Sequence, residues 1–111
     1  MSRRPVELLI EEIREAIERV EAYTKGMSEE TFLGDRRTSD AVVRNLEIIG
    51  EAASRLPSEF TQRHEAVEWG KVVGLRHRIV HDYFGVDLRI VWRILQHDVP
   101  GLNAKLQTLR G

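Results

Sequence analysis

The chain has 111 residues, a length typical of a single domain. Its 41% hydrophobic and 32% charged residues suit a folded globular protein, and a net charge of −1 argues against a protein that coats nucleic acid through bulk charge. Cysteine is absent, which excludes disulfides, thiolate nucleophiles and sulfur-ligated zinc. No apolar stretch has the length of a transmembrane helix or the character of a secretory signal, so we expect a cytoplasmic protein without a membrane partner.

The first third of the chain predicts one amphipathic helix and a loop. Apolar residues recur every three or four positions over residues 6–20, with charged residues between them. Gly26 is expected to end this helix. The polar residues that follow predict a loop that extends through Arg37.

A second helix is predicted to begin with Ser39 or Asp40 as its cap and to end before Pro57. It has apolar residues on two sides, which indicates a central helix with two neighbours, and Gly50 would permit a close approach. The main apolar stripe consists of Val42, Leu46, Ile49, Ala53 and Leu56.

The second half of the chain predicts further helices. Residues 57–69 indicate an irregular or short helical connection, and a third helix over 72–80 is expected to break near residues 83–85. Asp87 is a good cap for a fourth helix, and Pro100 is expected to start a last one. No segment alternates with period two, which predicts an all-α fold.

These elements predict a single all-α domain of four to five helices over residues 1–111. A bundle of this size buries little more than one core. The acidic first helix and the apolar faces on several others favour a homodimer.

Charge is unevenly distributed along the chain. Residues 1–34 hold five basic and eight acidic residues, whereas residues 71–93 hold five basic and two acidic ones. Within the second range, residues 76–83 contain two histidines, two arginines and a tyrosine. Histidine can both take and give a proton near neutrality, and arginine matches the geometry of phosphate. Cleavage of RNA by its own 2′-hydroxyl needs both properties.

Helix geometry constrains how this set could work. On an ideal helix Arg76 and His81 diverge by roughly 140°. They could converge if the helix frays near His81, if the arginine reaches round, or if a second protomer supplies one of them.

Two other interpretations stay open on the residues alone. His77 and His81 have the spacing of paired metal ligands, although Arg78 stands where a metalloprotease has Glu, and a third ligand would have to come from His64, His97 or an acid.

In the second interpretation the residues are structural. His81 would interact with a helix dipole, Arg76 would pair with Glu68 or Asp82, and Tyr83 would be an aromatic at the edge of the core.

The pattern from Arg76 to Tyr83, which is Arg, four residues, His, one residue and Tyr, resembles the HEPN superfamily. It is specifically similar to the HepT-type ribonuclease toxins of prokaryotic toxin–antitoxin pairs. Residues 41–56 and 83–102 resemble that family's second long helix and the segment that continues from the motif.

This resemblance implies a HEPN-type bundle that dimerises so that two motifs face one cleft. It implies metal-independent endonucleolytic cleavage of RNA, either transfer or messenger RNA, without a cofactor. His81 would be the acid–base residue and Arg76 the phosphate-binding group, while His77 and Arg78 would position RNA.

The resemblance also implies a partner and a switch. In a type VII toxin–antitoxin system, a cognate minimal nucleotidyltransferase antitoxin would transfer AMP from ATP to Tyr83. The alternative is a noncatalytic helical-bundle partner, or substrate-recruiting subunit, of a nucleotidyltransferase.

Overall fold

The structure is a computed structural model that describes residues 5–81 and 85–109, and of His81 it describes only the backbone. These residues form seven helices and one short strand pair, which confirms the all-α class. The helices are α1 (Val6–Thr24), α2 (Glu29–Leu33), α3 (Arg36–Ser54), α4 (Ser58–Arg63), α5 (Trp69–Val73), α6 (Leu75–Ile79) and α7 (Leu88–Gln107). The strands are β1 (Val80–His81) and β2 (Gly85–Val86), which pair antiparallel. None of the helices over this part of the chain is long and apolar enough to cross a bilayer.

The centre of the fold is the packing of α1 against α3, and both present the apolar stripes that the sequence predicts. Ile13, Ile17 and Leu46 are fully buried. One polar link spans the same interface, because Nε of Arg19 donates to Oδ1 of Asn45 at 2.7 Å, and the Asn45 amide donates to the Ala41 carbonyl at 2.9 Å. Asn45 is therefore buried with its hydrogen-bonding groups satisfied.

The predicted close approach at Gly50 is confirmed, and the neighbour is α5. A Cβ atom added at Gly50 would lie 3.2 Å from the Val72 carbonyl oxygen and 3.4 Å from that of Val73. The absence of a side chain therefore lets the backbone of α5 rest directly on α3. Because α6 follows α5 after a single residue, Gly74, this contact also helps to place α6.

The helix that the sequence predicts as the fourth is α7 in the structure, and it begins at the predicted cap. The Asp87 side chain accepts from the backbone N–H groups of Arg89 and Ile90. The prediction that Pro100 starts a separate helix is wrong, because Pro100 lies inside the continuous helix α7. Proline removes one backbone hydrogen bond here. The apolar stripe nevertheless keeps its spacing across Pro100, so packing holds both halves in one helix. Its buried members are Val91, Ile94, Leu95, Val99 and Leu106.

The prediction of an irregular loop between the first two long helices is also wrong. Ser28 accepts from the Thr31 backbone in a capping box and starts the short helix α2. The cap of α3 is Asp35, not Ser39 or Asp40, since its carboxylate accepts from both the backbone N–H and the hydroxyl of Thr38. Helix α3 therefore begins four residues before Asp40, and Ser39 is buried inside it.

The connection over 57–69 contains the short helix α4, as expected, but the predicted third helix is divided. Gly74 separates α5 from α6, and α6 ends at Ile79 where Val80 becomes extended. The predicted break near residues 83–85 includes two positions, 83 and 84, that lie outside the described residues. The helix has already ended before them.

The Asp35 cap gives a pH-dependent prediction. Hydrogen bonds from the Thr38 backbone and hydroxyl lower the pKa of the Asp35 carboxyl below its ordinary value, against the opposing effect of burial. A pKa that is lowered on folding stabilises the protein above the unfolded-state value, and this contribution is lost as the pH falls through the folded-state value. We expect Asp35→Ala to lower the melting temperature at pH 7 and the difference from wild type to shrink below about pH 4.

Asp35→Asn is the matched control, because its amide oxygen can still cap the helix but does not titrate in this range. Its melting temperature should lie between those of wild type and Asp35→Ala at pH 7. A gap between wild type and Asp35→Ala that stays constant from pH 7 to acid would contradict the assignment.

The contact at Gly50 gives a second prediction. Gly50→Val should lower the free energy of unfolding by about 1 to 3 kcal/mol, because its side chain must displace the α5 backbone. Gly101→Ala in α7 is the control, since a Cβ there meets nothing within 4 Å and should raise stability by about 0.5 to 1 kcal/mol. Denaturant unfolding of both variants measures the two effects. A Gly50→Val protein as stable as wild type would show that α5 is not held by close packing.

Candidate functional site

The arginine of the motif, Arg76, lies on the outer surface of α6. Leu75 and Ile79 of this helix are buried, which leaves Arg76 on the solvent side with its side chain 72% exposed. Its Nε donates to Oε2 of Glu47 on α3 at 3.3 Å. The guanidinium is thus connected to the central helix of the bundle although its surroundings are open to water.

The predicted pairing of Arg76 with Glu68 is wrong. Oε1 of Glu68 lies 3.5 Å from Nζ of Lys71, three residues later in the chain. Arg76 contacts Glu47 instead, because α6 packs on α3. The other predicted partner, Asp82, lies outside the described residues.

His81 does not lie on the same helix as Arg76. Its backbone belongs to β1, and its Cα is paired with that of Gly85 in β2. The base of this strand pair is closed where the Asp87 N–H donates to the Ile79 carbonyl at 2.7 Å. The 140° separation expected on a continuous helix therefore does not apply, because the chain leaves the helix before His81.

The same helix end removes the argument for a metal site with helical spacing, since His77 and His81 do not share a helix face. His77 itself is exposed on α6. Among the side chains that the structure describes, which do not include that of His81, no group of three or more metal-ligating side chains lies close enough to hold an ion.

A surface cleft of about 580 Å³ connects the neighbourhoods of the two motif residues. Glu47, the partner of Arg76, lines the cleft from α3, and Gly85, the backbone neighbour of His81, lines it from β2. Apolar side chains of Leu33, Val43, Val86 and Leu88 contribute to its wall. Arg76 does not line the cleft itself but reaches its edge through Glu47, and the backbone of His81 reaches it through Gly85.

The charged part of the cleft comes from one face of α3. Arg36, Asp40, Arg44 and Glu47 follow one another at helical spacing, and all four line the cleft. Arg36 and Asp40 lie 3.8 Å apart, as do Arg44 and Glu47. The lining itself therefore holds two arginines and two carboxylates, and Arg76, which does not line the cleft but contacts Glu47 at its edge, adds one positive charge beside it. This added charge would attract phosphate.

This charged face is the part of the site that the sequence interpretation missed. The spacing of four, four and three residues from Arg36 to Glu47 is visible in the sequence and could have indicated it. What the sequence could not indicate is that α6 would pack so that Arg76 contacts Glu47, since these residues are 29 positions apart.

Arg78 lies on a different side of α6 from Arg76 and contacts α7. Its Nη1 lies 2.9 Å from Oδ2 of Asp98 on α7, and only about a third of each side chain is exposed. Both residues line a second cavity of about 240 Å³ between α5, α6 and α7, together with His97 and Lys105. Arg78 thus connects α6 to α7, on a different cavity from the one that Glu47 lines.

Tyr83 lies outside the described residues, and so does the side chain of His81. The roles of Arg76, His77, Arg78, His81 and Tyr83 stay predictions.

Residues 13–109 match the family model described as Ribonuclease HepT-like, which covers most of the chain. The chain belongs to the ribonuclease HepT-like family. As a member of this family, the protein is a ribonuclease. No solved structure shows significant similarity to the chain.

Several relatives align over nearly their whole lengths. A protein from Thermococcus cleftensis with the name Probable ribonuclease HepT is 42% identical over 101 residues, which are 91% of this chain and 92% of that protein. A protein from Caldanaerobacter subterraneus subsp. tengcongensis, whose name describes an RNase, is 39% identical over 104 residues, or 94% of this chain and 89% of the relative. Another, from Methanocaldococcus jannaschii and also named as an RNase, is 35% identical over 107 residues, or 96% and 98% of the two chains.

Proposed function

We propose that this HepT-like ribonuclease is a metal-independent endonuclease in which Arg76 and His81 act on the scissile phosphate. The observation that carries the proposal is the shared cleft, which is lined by the partner of Arg76 and by the backbone neighbour of His81. The excess of arginine around it suits a polyanionic substrate. RNA, as transfer or messenger RNA, is the substrate that we propose.

In the proposed reaction the imidazole of His81 removes the proton from a 2′-hydroxyl of the RNA. The 2′-oxygen attacks the adjacent phosphorus, the bond to the 5′-oxygen breaks, and the leaving oxygen receives a proton. A cyclic phosphate remains on one fragment. Arg76 offers two amino groups to the phosphate oxygens and stabilises the negative charge that develops on them.

We propose a homodimer as the active form. One His81 would act as the base while the protonated His81 of a second copy acts as the acid, so that the two motifs would share one cleft. This arrangement predicts a bell-shaped dependence of the cleavage rate on pH, since one imidazole must be neutral and the other protonated.

Cleavage of total cellular RNA in a chelator tests the assignment. We expect His81→Ala to abolish cleavage, because no other group would move the protons. Arg76→Lys should lower the rate by about 10-fold or more, because it keeps the charge but loses the planar fork. Arg55→Lys is the matched control, since Arg55 pairs with Glu51 on the surface of α3 and does not line the cleft. It should cleave like wild type.

Near-normal cleavage by Arg76→Lys would contradict the role of Arg76. Cleavage that the chelator stops would contradict the metal-independent reaction. A wild-type protein that binds a nucleotidyltransferase but leaves RNA intact would favour the alternative, a noncatalytic partner or substrate-recruiting subunit of that enzyme.

We further propose that the protein is the toxin of a type VII toxin–antitoxin pair and is neutralised by AMP transfer to Tyr83. The Tyr83 hydroxyl would attack the α-phosphorus of ATP on the cognate minimal nucleotidyltransferase antitoxin, and pyrophosphate would leave. Support comes from the position of Tyr83 two residues after His81. The added phosphodiester carries a negative charge and a bulky nucleoside, which would repel and obstruct an RNA backbone at the cleft.

Intact mass after coexpression with a minimal nucleotidyltransferase of the proposed antitoxin class tests this switch. The chain has two tyrosines, which provide the variant and its control. Tyr83→Phe should lose the added AMP and stay active on RNA. Tyr23→Phe removes the other tyrosine, which is exposed on α1, and should still gain AMP. AMP that persists on Tyr83→Phe, or a modified protein that cleaves RNA at the wild-type rate, would overturn the proposal.

A further inference from the structure

We propose that Glu47 is a positioning residue that holds the guanidinium of Arg76 in the orientation needed to bind the scissile phosphate. This inference rests on the role proposed above for Arg76. The hydrogen bond runs from Nε of Arg76 to Oε2 of Glu47, at 3.3 Å. A contact at Nε leaves the two terminal amino groups of the fork available to a phosphate.

Glu47 is the better-anchored member of the pair. It lies in the middle of the 19-residue helix α3, directly after the fully buried Leu46, and its side chain is 33% exposed against 72% for Arg76. Its second oxygen, Oε1, lies 3.8 Å from Nη1 of Arg44, one turn earlier on the helix. The carboxylate is therefore approached by a cation at each oxygen.

Arg76 needs such an anchor because of its location. It is carried by a helix of only five residues, and its long side chain has many rotamers in water. A partner that restricts these rotamers before the substrate arrives reduces the entropy that must be lost on reaching the transition state. An exposed ion pair adds little to folding stability, so we expect the effect of Glu47 to be visible in catalysis rather than in the melting temperature.

Glu47 has two effects, the repulsion of the RNA backbone by its charge and the orientation of Arg76, and these can be separated by experiment. A carboxylate beside the phosphate site repels the RNA backbone in the ground state, so removing this charge should not weaken substrate binding. The loss of orientation, in contrast, acts on the transition state. A positioning role therefore predicts a lower kcat without a higher KM.

The experiment compares Glu47→Gln and Glu51→Gln in the full-length protein. Glu51 is one turn further along α3 and forms an ion pair with Arg55 at 3.5 Å, outside the cleft. Glu47→Gln keeps an amide oxygen that can accept from Nε of Arg76, but it replaces a charge-assisted hydrogen bond by a weaker neutral one, so it should lower kcat by about 5-fold with KM unchanged or lower. Glu51→Gln should match wild type in both constants, and both variants should keep the wild-type melting temperature.

Binding of an RNA whose reactive 2′-hydroxyl is replaced by hydrogen gives a readout independent of cleavage. Glu47→Gln should bind it at least as tightly as wild type does. Weaker binding, or a kcat equal to that of wild type, would overturn the inference.

A double-mutant comparison separates failure of this inference from failure of the proposed function. If Glu47 acts through Arg76, Glu47→Gln should lower single-turnover cleavage in the wild-type background and have no further effect in Arg76→Ala. An equal loss in both backgrounds would overturn the positioning role. Full activity of Glu47→Gln beside an impaired Arg76→Ala would do the same and leave the proposed function standing. Full activity of Arg76→Ala would overturn both.

Discussion

The close contact of two backbones at Gly50 is the constraint on which the arrangement of the site depends. Helix α3 supplies Gly50, against which α5 rests, and it supplies Glu47 three residues earlier. Because α6 follows α5 after one residue, the packing that seats α5 also brings Arg76 to Glu47. A side chain at position 50 would push α5 outward and carry Arg76 with it. Stability and site geometry are therefore coupled through one glycine.

The two arginines of α6 illustrate how a short helix divides its charges. Arg76 and Arg78 are two positions apart, which on a helix turns them to nearly opposite sides. Arg78 meets Asp98 and ties α6 to α7, in a partly buried pair at 2.9 Å. Arg76 stays exposed beside the cleft and meets a carboxylate through Nε alone. Arg78 therefore has a structural role in joining two helices, while Arg76 keeps most of its hydrogen-bond donors available for a ligand.

Much of the fold follows from the sequence because the long helices have regular apolar stripes. The spacing in α1, α3 and the first half of α7 determines which faces are buried, and Asp87 has the chemistry of a helix cap. The errors occur where local signals compete with packing. Pro100 is a strong start signal, but an unbroken apolar stripe overrides it. Asp35 and Ser28 lie in the segment that the sequence predicts to be a loop, although the side chain of each caps a helix by accepting from the backbone N–H three residues later.

The site was predictable only in its local part. The motif from Arg76 to His81 is contiguous in the sequence, so its residue types were evident, and the chain's membership of the HepT-like family agrees with that resemblance. The contact of Arg76 with Glu47 depends on tertiary packing and has no local signature. The motif also gives no sign that the helix ends at Ile79. Because of this end, the position of His81 relative to Arg76 is set by the pairing of β1 with β2 and not by the angle between two residues on one helix.

The closure at Asp87 has an evolutionary consequence. Its backbone N–H binds the Ile79 carbonyl while its side chain caps α7, so one residue seals the base of the segment between the two helices. Ile79 and Asp87, which flank the segment, are thereby joined by a main-chain hydrogen bond, and Asp87 is held in addition by its capping of α7. A closure of this kind, made by one backbone N–H group and one cap, would let evolution change the residues that it encloses while the two flanking helices keep their positions.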